Sequence, residues 1–185
     1  MKFHSLICIL ALTILSFVSP GEAVAQVSRP QTRGMYGLTE LQIGYGLQGN
    51  VQPNEIGFTG LSLLAGYSFS QSFSGGVGVG IQAYNGSNAV PVYVESGYCF
   101  KEAGLGKMRF FLKANAGVLI RLNGEVDQAR VFGNPQAGIL IPVAYHKELS
   151  VSLGYFTQWE QKQQEASSQY QLTNFINAKV GLRFY

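Results

Sequence analysis

From residue 36 onward the chain alternates apolar and polar residues with a period of two. The alternation recurs at about 36–47, 57–69, 73–84, 90–100, 108–122, 131–145, 149–159 and 172–185, between clusters of Gly, Asn, Ser, Gln and Pro. Period two places successive side chains on opposite faces of a β-strand, and no helical period of useful length follows residue 26. The pattern predicts eight strands, an even number.

Each strand divides into two faces. One carries Leu41, Ile43 and Tyr45, then Leu61, Leu63 and Tyr67, then Val77, Val79 and Ile81, then Val92, Val94 and Tyr98. The later strands continue it with Phe110, Leu112 and Ile120, with Ile139, Ile141 and Val143, with Val151, Leu153 and Tyr155, and with Ile176, Val180, Leu182 and Phe184. The opposite face holds Glu40, Gln42, Gly60, Ser62, Gly78, Gly80, Glu95, Lys113, Asn115, Arg121, Gln136, Ser152, Lys179 and Arg183. Every charge inside the predicted strands falls on this second face.

Composition decides which face meets solvent. Charged residues make up 12% of the chain and glycines number 23, whereas charge averages about 25% in soluble domains. The polar face of a soluble sandwich or barrel would be rich in Lys, Glu and Thr rather than Gly. Small residues on the polar side suit a crowded interior, with the apolar side toward lipid. The predicted fold class is all-β, an eight-stranded antiparallel up-and-down transmembrane β-barrel. Eight strands enclose a space that side chains just fill, so the interior glycines are expected to make room for long Lys, Arg, Glu and Gln. Closure satisfies strand backbone groups in hydrocarbon, so residues 177–185, "NAKVGLRFY", are expected to pair with the first strand.

The first 25 residues read as a cleaved secretory signal: Lys2, an apolar run from Leu6 to Val18, and Ala23-Val24-Ala25 before Gln26. The expected organisation is 1–25 signal peptide, 26–35 a short N-terminal segment and 36–185 the barrel. Only Cys99 follows the signal, so neither an intramolecular disulfide nor a Cys-based metal site is expected. The balance of 13 Lys+Arg against 10 Asp+Glu, without a basic run, argues against nucleic acid as a partner.

The signal, the eight alternating strands, the Gly-Tyr pairs (Gly44-Tyr45, Gly66-Tyr67, Gly97-Tyr98, Gly154-Tyr155), "VPVYVESGYCF" and the terminal "VGLRFY" together resemble small Gram-negative outer-membrane β-barrels of the OmpA/OmpX-like, porin-family kind. The resemblance implies residence in the outer-membrane lipid as a monomer. It also implies a C-terminal signal, here Val180, Leu182, Phe184 and Tyr185, for the barrel-assembly machinery. Trp159, Tyr155 and Tyr45 are expected at the outer interface and Phe69, Phe100, Phe110 and Phe184 at the inner one.

The candidate chemistry is an interior ion-pair cluster of Glu40, Glu95, Lys113, Lys179 and Arg183. A 101–107 hairpin symmetric about Gly104 sets Glu95 opposite Lys113, and closure brings Glu40 near Lys179 or Arg183. Paired charges filling an interior are the expected role, because an unpaired buried charge is costly. "EQKQQEASSQY", residues 160–170, is expected to be the longest outward loop and a partner surface through Gln161, Gln164, Glu165 and Tyr170. His146, expected in a solvated turn, has no nucleophile at a telling spacing, so neither enzymatic activity nor a cofactor is expected. "GGVGVG" at 75–80 lies in a strand pattern and opens no helix, unlike a phosphate-cradling loop. The functional expectation is a structural, envelope or surface-interaction role. One alternative is a narrow porin or small-solute transporter; another is a secreted soluble barrel that turns Leu41, Leu63 and Val79 inward around an apolar ligand.

Overall fold

In the computed structural model the described residues are 33–47, 56–85, 87–100, 108–122, 129–164 and 167–185, without the side chains of 160–164 and 167–171. The expected signal peptide, the segment up to residue 32 and Glu165 lie outside them. Eight strands follow in chain order: β1 (Gly34–Gly46), β2 (Gly57–Ser68), β3 (Phe73–Tyr84), β4 (Ser87–Cys99), β5 (Arg109–Arg121), β6 (Arg130–Ala144), β7 (Lys147–Gln164) and β8 (Ser167–Phe184). Each pairs antiparallel with its neighbour, and β8 pairs with β1 to close the barrel. The segment 177–184 thus serves as the closing strand, with Val180 opposite Leu41 and Phe184 opposite Gly37. We call the end holding Gly34 and Phe184 proximal and the opposite end distal.

The two-face assignment gives the orientation directly. Ile43, Leu63, Val77, Val79, Val94, Leu112, Leu153 and Val180 are exposed on the outer wall, while Glu40, Gln42, Glu95, Lys113, Asn115, Gln136 and Lys179 are buried inside. This arrangement rules out the soluble-barrel reading, which needed Leu63 and Val79 inside. Tyr45, Tyr155 and Trp159 flank the distal rim and Phe69, Phe100, Phe110 and Phe184 the proximal one, all outward. Such aromatic girdles bound the apolar band of a transmembrane barrel. Among the described residues no helix is long and apolar enough to cross a membrane, which leaves strand crossing untouched.

Three expected boundaries shift. At the distal end of β3 Tyr84 pairs with Ser87, so β4 begins before residue 90. At the proximal end Ala144 pairs with Lys147 across Tyr145-His146, and His146 adopts a left-handed backbone with φ 58°. The expected long loop at 160–170 is mostly strand. Glu160 pairs with Gln171, Gln161 with Tyr170 and Gln164 with Ser167, extending β7 and β8 to 18 residues each. The pairing of β6 with β7 stops at Trp159 and that of β1 with β8 at Phe175, so this hairpin continues as a two-stranded ribbon past the distal rim. Polarity favoured a loop there, yet Gln and Ser pair across a hairpin without difficulty when its base is already held in register.

Candidate functional site

The interior divides into levels. Nearest the distal end lies an aromatic layer. Phe58, Phe132, Phe156 and Phe175, from β2, β6, β7 and β8, are at most 3% exposed. Phe156 stacks on Phe132 with centroids 5.1 Å apart, and Phe58 lies 5.3 Å from both Phe156 and Phe175. Tyr84 of β3 and Tyr93 of β4 extend the layer at 5.4 Å from Phe58 and 6.2 Å from Phe132, and Leu119 of β5 joins the same core. From β1 comes Gly44, because the Phe58 ring occupies the space its Cβ would need. Offset and edge-to-face rings at 4.5–7 Å attract one another beyond their burial.

These aromatics were not anticipated, since the interior was expected to be filled by polar and charged side chains. Parity alone would have found them. Phe58 shares the face of Gly60 and Ser62, Phe132 that of Gln136, Phe156 that of Ser152, and Phe175 that of Lys179. The glycines differ from expectation as well: Gly44, Gly66 and Gly78 make room for the rings of Phe58, Tyr36 and Tyr93, whereas others, such as Gly181 beside Glu40, accommodate a long polar chain.

A charged layer follows on the proximal side. Lys113 Nζ donates to Glu40 Oε1 and lies 3.4 Å from Glu95 Oε2, while Lys179 Nζ lies 3.6 Å from Glu40 Oε2. All four residues are at least nine-tenths buried. The β4–β5 register differs from the symmetric hairpin: Glu95 faces Asn115, and Lys113 faces Gly97. A slip of two residues preserves parity, so both groups still point inward and meet diagonally. Glu40, across from Gly181, pairs with Lys179 and not with Arg183. Ser152 Oγ donates to Gln136 Oε1 at 3.1 Å in the same zone.

At the proximal end Arg109 reaches Glu148 Oε1 at 2.5 Å, and the Tyr185 hydroxyl donates to Glu148 Oε2 at 2.6 Å. Glu148, expected in a turn, is 2% exposed inside the barrel; that pair depends on the length of the 145–146 turn, which alternation does not encode. Burial raises the Tyr185 phenol above the ordinary tyrosine range, with Glu148 adding to the rise and Arg183 opposing it. The residues expected to form the assembly signal divide by face: Val180 and Phe184 are exposed on the outer wall, Leu182 shares their parity, and Tyr185 turns in toward Tyr36, with ring centroids 6.4 Å apart. Arg183 stands apart from the Glu40 cluster, its guanidinium 3.6 Å above the Tyr36 ring. Of the outer surface candidates, Gln161, Gln164 and Tyr170 lie on the ribbon strands. His146 sits in the proximal turn with its ring against Tyr145, and Cys99 is buried in the lumen. Among the described residues no His, Cys, Asp or Glu group is arranged to hold a metal ion.

Neither a protein-family model nor a curated protein sequence matches the chain. Solved structures do. Neisserial surface protein A aligns with a TM-score of 0.56 at 11% identity, over 81% of this chain and 96% of that one. The outer membrane protein OprG from Pseudomonas aeruginosa aligns at 0.54 and 8% identity, over 84% and 97%. The outer membrane protein AlkL aligns at 0.50 and 10% identity, over 90% and 95%. At such low identity the likeness concerns architecture, and together with the inside-out distribution of its side chains it makes this chain an eight-stranded transmembrane β-barrel with the fold of small outer-membrane proteins.

Proposed function

We propose that this chain is an integral protein of a bacterial outer membrane whose role is structural or interactive, and that its lumen is sealed rather than conducting. The observation that carries this reading is the aromatic layer, to which seven strands contribute side chains and the eighth a glycine under a ring. An eight-stranded barrel is just wide enough for its side chains, so a level filled by rings leaves no aqueous path through it. Lipid is the partner of the outer wall, and the barrel works as a monomer without a catalytic step or cofactor. Val180, Leu182 and Phe184 form the outward face offered to the barrel-assembly machinery. Contacts beyond the membrane are made by the ribbon strands past the distal rim, with Gln161, Gln164 and Tyr170 on them, together with Glu165, as the residues to vary first.

The test is reconstitution into planar bilayers, with fractionation of expressing cells alongside. Expected are a membrane-fraction protein whose unheated gel band differs from its boiled one, and no unitary conductance. Steady ion conductance by the wild-type protein would instead establish the narrow-channel reading.

A further inference from the structure

Below the aromatic layer the charges that point into the lumen do not balance. Among the described residues Glu40, Glu95 and Glu148 face Arg109, Lys113, Lys179 and Arg183. Arg109 is held by Glu148, Lys113 by Glu40 and Glu95, and Lys179 by Glu40. The surplus cation is Arg183, which makes no ion pair among the described residues. It is 7% exposed, and one terminal nitrogen donates to Ser68 Oγ at 3.0 Å. The guanidinium lies 3.6 Å from the Tyr36 ring centre and 5.0 Å from that of Tyr185, and Nε has no hydrogen-bond partner. A guanidinium has five N–H donors, and ring faces neutralise its charge only in part. A buried cation without a counter-charge is costly, so a partner is required.

The space for one lies beside it. A cavity of about 20 Å³ at the proximal end is lined by Arg183, Lys113, Tyr36, Ser74, Cys99 and Ser150. A volume above about 10–15 Å³ accommodates a water-sized particle when polar groups surround it. Glu95 also borders the cavity, with its charge offset by Lys113 at 3.4 Å. One net positive charge, that of Arg183, and the hydroxyls of Ser74, Ser150 and Tyr36 therefore border a space for a single small ion.

We propose that this cavity is a binding site for one monatomic inorganic anion of chloride size, held by Arg183 with hydroxyl donors around it. Because Arg183 on β8 reaches past Tyr36 on β1 to Ser68 on β2, the anion reinforces the seam where the barrel closes. The site is independent of whether the barrel conducts, since it lies on the proximal side of the aromatic layer.

The full chain, folded in detergent, is heated in sodium chloride and in sodium gluconate at equal ionic strength, and the midpoint of the heat-dependent gel shift is followed. An anion bound only by the folded state raises that midpoint with its concentration. Wild type is expected to show a chloride-dependent rise that gluconate does not reproduce, and Arg183→Gln to lose it. Cys99→Leu, which fills the cavity and keeps the cation, is expected to lose it as well. Crystals grown in bromide should show an anomalous peak beside Arg183, a readout that needs no variant to fold. Equal midpoints in the two salts, an unchanged chloride response in Arg183→Gln, or only water beside Arg183 in bromide crystals would each overturn the proposal.

Discussion

At the level of Phe58, Phe132, Phe156 and Phe175 the lumen is filled by rings that need only complementary volume. One level nearer the proximal end, Glu40, Glu95, Lys113 and Lys179 fill the same width with charges that each need a partner. Both layers exclude solvent, and they fail differently. A ring removed from the first leaves a void whose cost grows with its volume. A charge removed from the second leaves its partner buried and uncompensated, which is worse than removing both. The aromatic layer is thus tolerant in chemistry and strict in volume, and the charged layer the reverse.

The largest effect should come from the charged layer. Lys113→Met keeps most of the volume but leaves Glu95 without an ion pair, and is expected to lower barrel stability by about 3–5 kcal/mol, read from the heat-shift midpoint or from urea unfolding in lipid. Adding Glu95→Gln to Lys113→Met should restore part of the loss; a double variant as unstable as the sum of the singles would break the contrast between the layers. Phe156→Ala should cost a comparable ~3–5 kcal/mol by opening a void. Val79→Arg, on the lipid side of β3, should cost about 2–4 kcal/mol and reduce insertion, as measured by the membrane-fraction yield. Normal yield of soluble protein from that variant would overturn the orientation of the wall. The smallest effect sharpens the volume argument: Gly78→Ala places a Cβ within the Tyr93 ring, and is expected to cost about 1–3 kcal/mol through overpacking. Gly37→Ala, where nothing lies within 4 Å of the added carbon, should leave the heat-shift midpoint nearly unchanged.

Much of this was legible without coordinates. Alternation alone separated Val79, Leu63 and Val180 from Glu40, Lys113 and Lys179, and the small residues opposite the apolar face identified which side was inside. The interior aromatics are equally legible in parity, because Phe58, Phe132, Phe156 and Phe175 fall on the polar face of their strands. The pairing of Glu148 with Arg109 was not legible, since a two-residue turn at Tyr145-His146 and a longer one move Glu148 between strand and solvent. Nor was the ribbon, whose polar composition is compatible with loop and strand alike.

Strand number, the face each side chain takes and the chemistry of each face were determined by the sequence itself, because period-two alternation is a local property of an extended chain. Which inward groups meet was decided only by the closed barrel. The two-residue difference in the β4–β5 register, the sharing of Glu40 between Lys113 and Lys179, the meeting of phenylalanines from four strands and the isolation of Arg183 all depend on turn geometry and on the stagger that closure imposes. Parity survives any even slip of register, whereas contacts do not.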